Sequence, residues 1–153
     1  MAITPAYPHW RELDAVPRGA SLIRHVTAYL IVEGAEAAID WYRDVFRAEE
    51  VSRMTGGAGR IAHAEIRIGG SAIFIGDEHV HYEDIHGPMR VGGTPVYLDL
   101  ETDDLAGLFA RAVDAGATPI RQPTDPGMPI QSAKFRDPFG HIWLLTRSGG
   151  QAT

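Results

Sequence analysis

The stretch PVYLDLETDDLAGLFARAVDAG, Pro95–Gly116, carries two periodicities back to back. Pro95–Glu101 alternates apolar and polar side chains, the period of a strand with one covered face. Val96, Leu98 and Leu100 share the covered face, and Tyr97, Asp99 and Glu101 share the other. From Asp103 to Ala115 the apolar period lengthens, and Leu105, Leu108, Phe109, Ala112 and Val113 make one stripe of a helix. Gly116 supplies the residue that ends it. The stripe and the strand face must cover each other, so this segment is one layer pair of a larger core.

The same order occurs earlier in the chain. Leu22–Val32 (LIRHVTAYLIV) alternates and is rich in strand formers, which predicts a strand, and Gly34 then breaks the chain. Ala35–Phe46 (AEAAIDWYRDVF) places Ala38, Ile39, Tyr42, Val45 and Phe46 at helical spacing. Both halves contain a Tyr-Leu pair, Tyr29-Leu30 and Tyr97-Leu98, with Val45 and Val113 sixteen residues after each Tyr. A repeat of about seventy residues points to an internal duplication.

After each helix come further strands. In the first half these are Arg60–Ile68 and Ser71–Ile75 around the Gly69-Gly70 turn; in the second, Ile120-Arg121, Ala133–Phe135 and His141–Thr146, the last after the Asp137-Pro138-Phe139-Gly140 turn. The expected fold is α+β, two tandem βαβββ modules whose concave sheet faces form a shared, barrel-like cavity. Ala28, Leu30 and Val32 are expected under the first helix. His25, Thr27, Tyr29, His63 and Glu65 are expected on the cavity face. The division is an N-terminal arm at 1–21, a single domain at 22–147 and a tail at 148–153. The domain splits into module one at 22–78, a linker at 79–92 and module two at 93–147.

Composition limits the function. The 153 residues carry a formal charge of −6 with no run of Lys or Arg, which argues against nucleic acid and anionic membrane as partners. No cysteine is present, so thiolate chemistry is excluded and any metal would need His, Asp, Glu or water. No secretory signal or membrane span is evident, and a cytoplasmic protein is expected.

VTAYLIVEGAEAAIDWY, GRIAHAEIRIGGSAIFIGDE, GGTPVYLDLETDDLAGLFARAVDAGA and RDPFGHIWLL, in this order and spacing, resemble the vicinal oxygen chelate superfamily. The likeness is to its PhnB-like, glyoxalase/bleomycin-resistance branch and spans roughly residues 22–147. The resemblance implies a cavity between paired modules, usually in a homodimer. It also implies four metal-ligand positions, one on the first and one on the last strand of each module. Those positions fall on Thr27, Phe74, Tyr97 and Leu144. None is a His or a carboxylate, and Phe and Leu cannot coordinate a cation. The expectation is therefore a metal-free cavity, with Thr27, Tyr29, Phe74, Tyr97 and Leu144 against a ligand. Two departures from the branch stand out. Arg47 occupies a place usually held by Gly, and Gln122–Ser132 (QPTDPGMPIQS) suggests a stiff loop.

The histidines offer an alternative. HVHYEDIH, His79–His86, holds three imidazoles in the linker, and His25, His79 and His81 are the set from which a divalent-metal site would have to be built. The bland reading of the linker is a solvated crossover. His63, mid-strand on the cavity face, is the candidate acid/base, and Asp99 the candidate carboxylate that holds or donates a proton. Two functions follow. One is a metal-free small-molecule-binding protein for an aromatic or amphipathic ligand. The other is a lyase- or isomerase-type enzyme that uses His63, with or without a divalent metal.

Overall fold

A computed structural model describes residues 22–79, 81 and 85–148. Its elements are β1 (Tyr29–Val32), α1 (Ala35–Phe46), β2 (Glu49–Thr55), β3 (Ile61–Ile68), β4 (Ser71–Asp77), α2 (Pro88–Val91), β5 (Tyr97–Glu101), α3 (Leu105–Asp114), β6 (Thr118–Arg121), β7 (Ile130–Arg136) and β8 (Ile142–Ser148). They form two four-stranded sheets of matching order, β1-β4-β3-β2 and β5-β8-β7-β6. In each sheet the first strand pairs in parallel with the last, and the other pairings are antiparallel. This is the expected tandem βαβββ architecture.

The core lies under the helices. Ala38, Ile39, Tyr42 and Val45 of α1 are buried against Leu30, Val32, Ala64, Ile66 and Ile75. Leu105, Leu108, Phe109 and Ala112 of α3 cover Ala133, Phe135 and Leu145. Period 2 in the strands and period 3.6 in the helices place these side chains on facing surfaces.

Three local departures from expectation have physical causes. The first strand begins at Tyr29, not Leu22, although the Phe74 amide still donates to the Ala28 carbonyl at 2.9 Å. Leu22, Ile23 and Val26 are exposed before it, so alternation alone did not extend the strand. β2 is the third strand after α1 that the βαβββ pattern requires but to which no stretch of sequence is assigned above: EEVSRMT is nearly all exposed and held by its ladder to β3, an edge strand without an apolar face. β7 starts at Ile130, which shortens the loop after β6 to residues 122–129.

Helix ends are fixed by side chains at a distance in sequence. Gly34, before α1, has no capping side chain, and Asp77 at the end of β4 substitutes for one. Its Oδ1 accepts from the Gly34 and Ala35 amides at 3.0 and 2.7 Å, and its Oδ2 from the Ile61 amide at 2.8 Å. α3 starts two residues later than expected, with Asp104 accepting from the Gly107 amide. α1 ends on Arg47 at φ +59°, the left-handed conformation that glycine adopts at low cost.

The modules are joined on their helix side. The Trp41 indole donates to the Ala115 carbonyl at 2.8 Å, Arg111 Nε donates to the Val45 carbonyl at 2.9 Å, and the Phe46 and Trp143 rings lie 4.5 Å apart. His141 Nε2 donates to the Ile31 carbonyl at 3.0 Å, a structural tie between β8's approach and β1. Within the chain the two sheets remain separate and do not close into a barrel. Joining the modules through α1 and α3 leaves Tyr29 and Tyr97, on the opposite sheet faces, 45% and 52% exposed.

Candidate functional site

The open face of the first sheet carries three rings in mutual contact. β1–β4 register sets Tyr29 beside Phe74, and β4–β3 register sets Phe74 beside Glu65, with His63 one alternate position along. Ring centroids are 5.4 Å apart for Tyr29–His63, 5.8 Å for Tyr29–Phe74 and 4.9 Å for His63–Phe74, all in tilted or edge-on geometry.

The Tyr29 phenol oxygen lies 2.8 Å from His63 Nδ1 and 3.3 Å from the Ala62 carbonyl. One hydroxyl proton serves one acceptor at a time. Donation to Nδ1 places the imidazole proton on Nε2; donation to Ala62 requires Nδ1–H to donate to the phenol oxygen. Partial burial raises the Tyr29 pKa, so the phenol stays a neutral donor at physiological pH.

The ring can take this position because β4 carries Gly76 beneath it. A Cβ at Gly76 would lie 3.3 Å from Tyr29 Cε1 and hydroxyl, and 3.1 Å from the Ala62 carbonyl. Gly76 breaks the apolar run SAIFIGD, and a glycine inside a strand pattern is the sequence signal for such a close approach. Sequence reasoning passed over it.

Two clefts meet at Tyr29. One, of about 790 Å³, is bordered by the 56–58 turn, Arg60, Ile61, Asp77, His79 and Ile85. The other, of about 660 Å³, is bordered by His25, Thr27, Glu65, Arg67, Ala72 and Phe74. Each has the size of a small-ligand site. Thr27, Tyr29 and Phe74 thus border one cleft together. His63 sits behind Tyr29 and lines neither cleft.

Tyr97, Leu144 and Asp99 lie on the other sheet. Lys134 Nζ sits 4.2 Å above the Tyr97 ring, a cation–π contact brought about by β5–β8–β7 register. Asp99 pairs with Leu144 in that register and accepts from the Thr146 hydroxyl at 2.8 Å. In one chain, therefore, Asp99 does not join His63.

The linker is pinned beside the larger cleft. Glu78, nearly buried, accepts from the Gly87 amide at 2.8 Å and from Arg90 Nε at 3.0 Å, and the Arg60 guanidinium donates to its carbonyl. Burial pushes its carboxyl up, but the Gly87 amide, Arg90 and His86 together hold it below the usual range. His79 and Ile85 form a bridge across the turn. His81 is an exposed turn residue, and Tyr82 and Glu83 lie outside the described residues.

The superfamily's metal does not fit the residues found at the expected positions. Thr27, just before β1, and Phe74 on β4 belong to the first module, Tyr97 and Leu144 to the sheet of the second, and the set offers no imidazole or carboxylate. Among the described residues no group of three His, Asp or Glu side chains is placed to hold a cation. His25 and His79 border different clefts.

Comparisons with known proteins agree with this architecture. The family model described as "Glyoxalase/Bleomycin resistance protein/Dioxygenase superfamily" matches residues 22–145. An uncharacterized protein of Mycobacterium bovis is 34% identical over 122 residues, covering 78% of this chain and 80% of that protein. Among solved structures, TioX from Micromonospora sp. ML1 aligns with a TM-score of 0.61 at 25% identity, covering 85% of this chain and 100% of TioX. The PhnB protein from Bacillus cereus aligns with a TM-score of 0.61 at 21% identity, covering 82% and 100% of the two chains. No helix among the described residues is long and apolar enough to cross a membrane. The paired modules, their strand order and the family match lead to one conclusion: the chain belongs to the glyoxalase/bleomycin resistance protein/dioxygenase superfamily.

Proposed function

We propose that this protein binds a small aromatic or amphipathic molecule without a metal, on the sheet face that carries Tyr29 and Phe74. The observation that carries the reading is the cluster of Tyr29, His63 and Phe74 rings at the junction of two clefts. Ring edges and faces left half-exposed at a concave surface gain most from covering a flat apolar ligand. Arg60 at one end and Arg67 at the other offer polar anchoring beside the apolar middle. Metal independence belongs to the proposal and is supported by the chemistry of Thr27, Phe74, Tyr97 and Leu144.

A homodimer is part of the same proposal. Exposed Tyr97, with Lys134 over its ring, makes a second half-site, and a second copy could lay this face across the Tyr29 face. The test is fluorescence titration of a panel of aromatic ligands against wild type and Phe74→Ala, with and without a chelator. Binding that survives the chelator and weakens in the variant supports the reading. Loss of binding on chelation sinks it.

One observation favours catalysis as a second reading. The 2.8 Å contact between the Tyr29 hydroxyl and His63 Nδ1 orients the imidazole, as an acid/base requires. Asp99 would have to come from a second copy. His63→Ala that keeps ligand binding and loses turnover of a bound substrate would select this reading.

A further inference from the structure

Tyr29 is the residue that the linings of the two clefts have in common. Its ring crosses from β1 over Gly76 toward β3, where its hydroxyl reaches His63 Nδ1 and the Ala62 carbonyl. The Tyr29 side chain therefore stands where the two clefts meet, with the His63 and Phe74 rings against it. The ring is seated by a glycine beneath it and latched by its hydroxyl, while its outer side faces solvent at 45% exposure. Hydroxyl hydrogen bonds at a half-exposed position are interactions that a stacked ligand ring can replace.

We infer that Tyr29 is a partition that sets ligand length: latched, it admits a single-lobed ligand to either cleft; rotated away, it joins them into one trough and uncovers His63. The inference rests on the binding reading above and deepens it to a ligand class. The joined trough takes an elongated molecule with two flat apolar lobes. Its narrower polar waist would lie beside His63, whose imidazole then meets the waist in place of the phenol. The lobes would differ in surroundings, with Arg60 and Asp77 around one and Thr27, Glu65 and Phe74 around the other.

The experiment compares a single-lobed probe, anilinonaphthalenesulfonate, with its covalent dimer, a double-lobed probe of the same chemistry. Both are titrated by fluorescence against the full-length wild type, Tyr29→Phe and Tyr29→Ala, each first shown to melt cooperatively. In Tyr29→Ala the ratio of the two Kd values shifts toward the double-lobed probe by about tenfold or more, the order expected when a second ring becomes buried. Tyr29→Phe keeps the ring and loses the latch, so its ratio shifts the same way by less. If Tyr29→Ala does not fold, the shift in Tyr29→Phe alone decides. An unchanged ratio in the folded variants, with the single-lobed probe still bound by wild type, overturns the partition and leaves the binding reading standing. Failure of wild type to bind either probe overturns both.

Discussion

The phenol of Tyr42 on α1 donates at 2.6 Å to Asp137, in the turn that leads to β8, and so ties the helix of the first module to the sheet of the second. Asp137 is buried, and its carboxylate is fully provided for: the Trp143 indole donates at 2.9 Å, and the Phe139 and His141 amides at 2.9 and 3.0 Å. A buried charge is tolerated when its lone pairs are taken up in this way. The DPFGH motif is thus a structural hub. Tyr42→Phe removes one charge-assisted bond and should lower stability by roughly 1.5–3 kcal/mol, read as a shift in urea midpoint at constant slope.

The same pair predicts an alkaline signature. Burial, and then the neighbouring Asp137 carboxylate, hold the Tyr42 pKa well above its ordinary value. The unfolded phenol ionises near pH 10, so above that pH the folded state binds the extra proton. The contribution of Tyr42 is complete below about pH 10 and declines as the pH rises beyond it. Urea melts of wild type should therefore weaken above about pH 10 with a slope that Tyr42→Phe lacks.

Arg47 should be replaceable at a profit in stability. It holds φ +59° at the end of α1, where an L side chain is strained and glycine is not. Arg47→Gly should raise stability by about 1 kcal/mol in equilibrium urea unfolding, against the usual cost of introducing glycine. A variant less stable than wild type would show that contacts of the arginine outweigh the backbone strain.

Glu78 should act as the clasp of the linker. Its folded pKa is held low, so its stabilising contribution is present above the ordinary glutamate pKa and is lost as pH falls through the folded value. The protection of the Gly87 amide against hydrogen exchange, relative to its intrinsic rate, should fall in Glu78→Gln, and in wild type as the pH is taken below the ordinary glutamate range. Protection of Gly87 that is indifferent to both changes would remove the clasp.

The proposed homodimer makes a separate prediction. Placing a charge on the exposed second half-site, as in Tyr97→Asp, should convert a dimer to a monomer in sedimentation velocity, because it desolvates a carboxylate in any interface formed there. Wild type that sediments as a monomer at tens of micromolar would dispose of the second-copy part of the account.

The order of elements was legible because strand and helix periods differ and because both modules repeat them. Leu98 and Leu100, and Leu105, Leu108 and Phe109, announce their covered faces by spacing alone. Parity likewise put Tyr29, His63 and Tyr97 on the open faces. What could not be read depended on partners distant in sequence. Residues 22–28 alternate but lie outside the strand, whereas β2 pairs with β3 without alternating. Lys134 over Tyr97, Asp77 capping α1 and the Tyr29 ring seated on Gly76 all require sheet register, which no local pattern specifies. Closure of the cavity depends on how the modules dock, and docking through Trp41, Phe46 and Trp143 was invisible in either module's pattern.

The most direct test is a crystal grown with a chelator and soaked with a flat aromatic ligand that wild type binds in solution. The expected map shows the ligand ring against Tyr29 and Phe74, with no cation beside it. A divalent ion held there by protein side chains despite the chelator, or a ligand lodged away from that face, would contradict the account.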